Sequence, residues 1–222
     1  MAPDTRLAQL LCARLCHDLS GSLGTLVGAL DLVAMPEAAD AEALSLAREA
    51  AGVLRGRLMV MRALAGSGPA EGAGIVALLT PSLAERRTLL VAALDKGLRL
   101  EPTVSAMLVA AVLLAGEALP RGGAVHLEGG AAGFRLRVEG RNAGWPMTLP
   151  AALDGAPLSD AVTARYVLAP WMVALAEGAG WQVRLGFAEG DAALEPLVLV
   201  PGQGAADLPA LRVGCYSGNG SP

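Results

Sequence analysis

The chain has 222 residues, enough for one or two domains. Hydrophobic residues make up 54% and charged residues 17%, which excludes a wholly disordered chain. The net charge of −4 leaves no surplus of basic side chains for gripping a nucleic-acid backbone, and three cysteines are too few for a disulfide framework.

The first 65 residues read as helix. Apolar residues at Cys12, Cys16, Leu19, Leu23, Leu26, Leu30 and Val33 recur in steps of four and three, the seam of a helical bundle. Met35-Pro36 ends this helix, because the residue before proline avoids the helical region. A second helix carries a seam at Leu44, Ala47, Ala51, Leu54, Leu58, Met61 and Ala65. A short connection makes the pair an antiparallel hairpin. Two helices alone cannot cover both seams. A homodimer that completes a four-helix bundle is the simplest remedy, and packing against the rest of the chain is the other.

Gly66-Ser67-Gly68-Pro69 and Gly72-Ala73-Gly74 read as a linker. Beyond it, residues 85–92 fit a strand or a helix equally well. Val104–Leu119 reads as an apolar helix, ended by Pro120-Arg121-Gly122-Gly123. Strands are expected at Ala124–Glu128 and Phe134–Glu139. Ser159 can cap a helix running towards Gly178, broken or kinked at Pro170, and two strands follow at Trp181–Phe187 and Leu194–Val200. The fold class is therefore α+β. Residues 1–66 form the helical hairpin, residues 75–201 an α/β sandwich, and residues 202–222 a C-terminal tail. The longest apolar stretch, Val104 to Ala115, falls short of the roughly 20 residues that span a bilayer. Arg6, Arg14, His17 and Asp18 interrupt any signal-peptide core, so a cytoplasmic chain without membrane contact is expected.

His17 lies about 150° round the first helix from its seam and points outward. Gly21, Gly24, Gly28 and Asp31 share its face. Three helix-interior glycines cost about 1 kcal/mol each relative to alanine, which suggests a surface kept smooth for a macromolecular partner. An exposed imidazole can carry a phosphoryl group on a ring nitrogen, and Asp18 is the nearest carboxylate to orient it or accept its proton. A solvated surface histidine is the plain alternative. Arg48, Arg55 and Arg62 recur every seven residues along the second helix, either as a docking edge for an acidic partner or as a solvated flank. Cys12 and Cys16 fall on the seam and read as buried apolar residues, not as metal ligands with His17. His126 lies within a strand and reads as structural or solvated. Trp171 and Trp181 read as core or interface.

The run Arg14-Leu15-Cys16-His17-Asp18-Leu19-Ser20, with Gly24 and Gly28-Ala29-Leu30-Asp31-Leu32, resembles the phosphoacceptor helix of histidine kinases. It is closer to the ChpT-like histidine phosphotransferases, and Glu117-Ala118-Leu119-Pro120-Arg121-Gly122-Gly123 is similar to that family's counterpart of the kinase ATP-domain helix end. The resemblance implies a dimeric hairpin followed by a degenerate histidine-kinase ATPase-like sandwich. It also implies a phosphorelay in which His17 takes phosphate from the receiver domain of a hybrid histidine kinase and passes it to a response regulator. Arg14 and the glycine face would then form part of the docking surface. Ser22 stands where the family often has proline, and Gly21 offers no side chain that could position a hydrolytic water. The expected metal-binding asparagine, Asp-Asn-Gly turn and Gly-x-Gly lid are replaced by Val104–Leu119 without asparagine, by Val138-Glu139-Gly140-Arg141-Asn142-Ala143-Gly144-Trp145, and by Val162-Thr163-Ala164-Arg165. No cofactor is therefore expected on this chain, ATP included, with Mg²⁺ supplied by the receiver partner. A non-catalytic dimerisation or adaptor module derived from a kinase is the alternative.

Overall fold

The computed structural model describes residues 5–33, 41–158, 162–187 and 194–202. Two long helices open the chain, α1 (Thr5–Val33) and α2 (Ala41–Leu64), packed as a hairpin. Alanine and unbranched side chains dominate α2, with Glu42 in its first turn and Arg62 in its last, both matched to the helix dipole.

The hairpin contact differs from the expected seam. Within the chain α1 buries Leu7, Arg14, Ser22 and Ala29, a stripe rotated by about 110° from the leucine seam. The small side chains of Ser22 and Ala29 on this stripe, and of Ala43, Ala47 and Ala50 on α2, suit a close contact between the two helices, while Arg14 turns to the sandwich. Leu23 stays 51% exposed and Leu30 49%, while Leu44 and Leu58 are exposed on α2. Of the α2 seam only Ala47 is buried. Cys12 and Cys16, expected to be buried, are exposed.

Gly72-Ala73-Gly74, read as linker, is instead the first turn of α3 (Gly72–Ala84). Gly72 is buried there, and a Cβ at this position would press on Leu94 and Leu98 at 3.1 and 3.2 Å. The undecided segment becomes β1 (Thr88–Leu94). Helix α4 (Pro102–Glu117) carries the chain back to β2 (Gly123–Gly130), which pairs in parallel with β1. Strand β3 (Gly133–Glu139), short helices α5 (Thr148–Leu153) and 164–166 (3₁₀), α6 (Leu168–Ala179), β4 (Trp181–Leu185) and β5 (Leu197–Pro201) complete the sandwich. The sheet order is β1-β2-β3-β5-β4, antiparallel at every pairing except the first.

Pro170 does not kink α6. It falls in the first turn, where its missing N–H has no intrahelical partner to lose. The expected cap, Ser159, and the tail from residue 203 lie outside the described residues. The helix closes on Gly180 at φ 71°, the left-handed cap that glycine adopts without a Cβ clash.

The core lies between α4, α6 and the sheet. From Ala106 to Val112 every α4 residue is fully buried, which explains a helix that is apolar all round. Phe134 is 2% exposed and stacks on Trp181 at 5.7 Å, and Trp171 donates its indole N–H to the Leu64 carbonyl at 3.1 Å. Both tryptophans thus serve packing, as expected. Phe134→Ala should lower the unfolding free energy by about 3–5 kcal/mol, read as a lower urea midpoint at unchanged m-value.

Candidate functional site

His17 sits on α1 with its side chain 87% exposed, facing away from the leucine stripe. Its Nδ1 lies 3.1 Å from Asp18 Oδ1. Adjacent helical residues do not normally face each other, so this contact requires the Asp18 carboxylate to be turned and held. Arg14, one turn earlier, places Nε 3.5 Å from Asp18 Oδ2. Arg57 on α2 donates from Nη1 to the Asp18 carbonyl at 2.8 Å and from Nη2 to Glu85 at 2.9 Å. An ionised carboxylate only accepts. Where Asp18 accepts, the ring nitrogen facing it carries the hydrogen, and Nε2 of the neutral ring keeps the lone pair.

His17 and Asp18 stand at the edge of a cleft of about 710 Å³ between α1 and the sandwich. Its other walls include Arg86, Glu117, Pro120, Arg165 and Tyr166. Arg86 and Arg165 are exposed, and the Arg165 guanidinium lies 5.6 Å from the Tyr166 ring centroid. Two exposed guanidinium groups thus share the cleft with the His17 imidazole.

Arg14 differs from expectation. It is buried at 8%, not displayed for docking. Its guanidinium is committed internally, from Nη2 to Glu117 Oε1 at 2.6 Å and from Nη1 to the Arg165 carbonyl at 2.9 Å. A long polar side chain on the intramolecular face of α1 is explained by those partners, which lie 103 and 151 positions away and leave no periodic trace. Gly21, Gly24 and Gly28 are exposed, and a Cβ at any of them would meet nothing within 4 Å. Packing inside this chain therefore does not require them to be glycine. Arg48, Arg55 and Arg62 are exposed along α2 but do not line the cleft. Arg57 and Glu85 were not singled out by the heptad stripe, because Arg57 lies about 200° round the helix from Arg55. His126 on β2 is half-buried, with Nε2 3.3 Å from Glu139.

Two of the segments expected to stand in place of kinase nucleotide motifs have partners within the chain. Helix α4 has three oxygen-bearing side chains. Ser105 donates to the Pro69 carbonyl at 2.7 Å, Glu117 holds Arg14, and Thr103 lies in the first turn, far from the cleft end. In place of the Asp-Asn-Gly turn, Gly144 donates its N–H to the Ala118 carbonyl at 2.9 Å, and Trp145 donates from Nε1 to the Glu195 carbonyl at 2.8 Å.

The family described as histidine phosphotransferase C-terminal domain matches residues 75–191, just over half of the chain. The chain belongs to the histidine phosphotransferase family. A solved bacterial phosphotransferase shares the fold of this ChpT-like chain at a TM-score of 0.71 and 24% identity, covering 90% of this chain and 97% of that one. The cytoplasmic segment of histidine kinase QseC is more distant, at a TM-score of 0.37 and 13% identity over 58% of this chain and 70% of that one. The blue-light-activated histidine kinase domain of Erythrobacter litoralis gives a TM-score of 0.41 and 12% identity over 83% and 96%. No curated protein matches the chain. Family membership makes this histidine phosphotransferase a transferase with a role in phosphorelay signalling. Among the described residues no helix is long and apolar enough to cross a membrane.

Proposed function

We propose that the chain relays a phosphoryl group from the receiver domain of a hybrid kinase to that of a response regulator, as phosphohistidine on His17. The observation that carries this reading is the exposed imidazole whose Nδ1 is held by Asp18, leaving Nε2 open at the cleft mouth. In the first half-reaction the Nε2 lone pair attacks the phosphorus of an aspartyl phosphate. A P–N bond forms, the P–O bond breaks, and the partner's aspartate leaves as carboxylate. The imidazole keeps its Nδ1 hydrogen, and the positive charge developing on the ring is met by the Asp18 carboxylate. The second half-reaction reverses these bonds onto another receiver's aspartate. The receiver brings the Mg²⁺ in both, which leaves this chain to position the nitrogen.

Arg86 and Arg165 beside the cleft, and Arg48, Arg55 and Arg62 along α2, suit an acidic receiver surface. The glycine face lets a partner helix approach close to His17. The exposed Leu23, Leu30, Leu44 and Leu58 favour a homodimer that completes a four-helix bundle through the opposite face. The test is incubation with a phosphorylated receiver, followed by mapping of the modified residue. Acid-labile phosphate on His17 is expected; transfer to another residue, or none at all, overturns the reading.

ATP is not a substrate in this reading, because, of the α4 oxygens, Ser105 is committed to the Pro69 carbonyl and Glu117 to the Arg14 guanidinium. Titration calorimetry with Mg–ATP is expected to show no binding up to millimolar ligand. Micromolar affinity would contradict it.

A further inference from the structure

We propose that Glu117, at the C-terminal end of α4, is a positioning residue for the His17 imidazole, acting through Arg14 and Asp18. The proposal rests on His17 being the phosphoacceptor. It adds a contribution of the sandwich half to the chemistry on the hairpin.

The contact chain is continuous. Glu117 Oε1 lies 2.6 Å from Arg14 Nη2, Arg14 Nε lies 3.5 Å from Asp18 Oδ2, and Asp18 Oδ1 lies 3.1 Å from His17 Nδ1. A guanidinium is a rigid planar fork with five donors. Glu117 takes one terminal nitrogen and the Arg165 carbonyl takes the other, at 2.9 Å, so the plane of the fork is set entirely by the sandwich. That leaves the Nε edge turned towards Asp18. With Oδ2 drawn to Arg14, the second oxygen is turned to the histidine.

Burial divides the chain into a fixed part and a responsive part. The Arg14 and Glu117 side chains are 9% and 12% exposed, where a charged pair is little screened and strongly directional. Asp18 is 29% exposed and His17 is 87% exposed. An imidazole that open would otherwise exchange rotamers and tautomers on a fast timescale. The Asp18 contact favours the tautomer with hydrogen on Nδ1, which is the one that leaves Nε2 nucleophilic. Glu117 is hydrogen-bonded to Arg14 and not to the ring. Its effect passes through the orientation of Arg14.

The experiment compares wild type, Glu117→Gln, Glu117→Asp and Arg14→Lys by ¹⁵N NMR of the His17 ring in unphosphorylated protein, and by phosphotransfer from a phosphorylated receiver. Glu117→Gln should lower the Nδ1–H tautomer fraction and cut the maximal transfer rate by about ten-fold, with KM for the receiver within about two-fold of wild type. Glu117→Asp should restore part of both. Arg14→Lys keeps the charge but loses the fork, so it should reproduce the Gln phenotype; it also decides the matter should Glu117→Gln fail to fold. An unchanged tautomer distribution in Glu117→Gln or Arg14→Lys, or a rate loss carried wholly by KM, overturns the proposal. Failure of wild type to take phosphate on His17 would instead refute the phosphoacceptor reading, and the tautomer measurement would still decide the role of Glu117.

Discussion

His17→Ala should lose phosphoryl acceptance from a phosphorylated receiver by more than about 1,000-fold, the scale seen when a nucleophile is removed outright. Phosphoryl transfer asks the protein for a positioned lone pair and little else, and His17 is the one imidazole among the residues that line the cleft. Asp18 and Glu117 accept hydrogen bonds from His17 and Arg14, and the other histidine, His126, lies on β2, outside the cleft, beside Glu139 of β3. The loss cannot come from unfolding. An 87% exposed side chain contributes almost nothing to the core, and alanine is the best helix former, so stability should stay within about 0.5 kcal/mol of wild type. Acid-labile phosphate measured over time, with circular dichroism as the fold control, decides it. Undiminished acid-labile phosphate on the variant would remove His17 from the relay.

Leu23→Glu combined with Leu30→Glu should convert a dimer into a monomer. Each leucine is about half exposed in the single chain, and covering the rest is worth about 1 kcal/mol. Twofold symmetry counts each substitution twice, so the pair removes about 4 kcal/mol, a shift of about 1,000-fold in Kd before the cost of burying four carboxylates. The intramolecular hairpin should survive, because the small buried residues Ser22 and Ala29 on α1, and the Arg57 contact to the Asp18 carbonyl, are untouched. Sedimentation equilibrium reads the mass. A wild-type chain that is monomeric at tens of micromolar, or a variant that dimerises as tightly, would refute the four-helix-bundle arrangement.

The strongest periodic signals in the sequence became elements. The α4 helix, the β2–β3 pair and strands β4 and β5 all lie where runs of apolar or alternating residues place them. The misreadings have local causes. Gly72 and Gly74 suggest a linker, yet Gly72 is needed for close packing against Leu94 and Leu98. Residues 85–92 mix a turn with the start of β1, an edge strand whose Leu89 and Val91 are exposed, so no single period spans the window.

The hairpin shows how far periodicity reaches. Heptad spacing marks a leucine stripe and puts His17 on the other side of the helix, because both follow from the rotation per residue alone. It does not say which stripe meets the second helix of the same chain. Small side chains at Ser22, Ala29, Ala43, Ala47 and Ala50 take that contact, since they allow the closest approach of two backbones.

The amino-acid order was thus sufficient to find the exposed imidazole, its neighbouring carboxylate and the family pattern round them, since all of these lie within a few turns of one helix. The cleft, the burial of Arg14 and its pairing with Glu117 came from folding. They join residues more than a hundred positions apart, and the packing of whole elements, which no local period encodes, sets their distances.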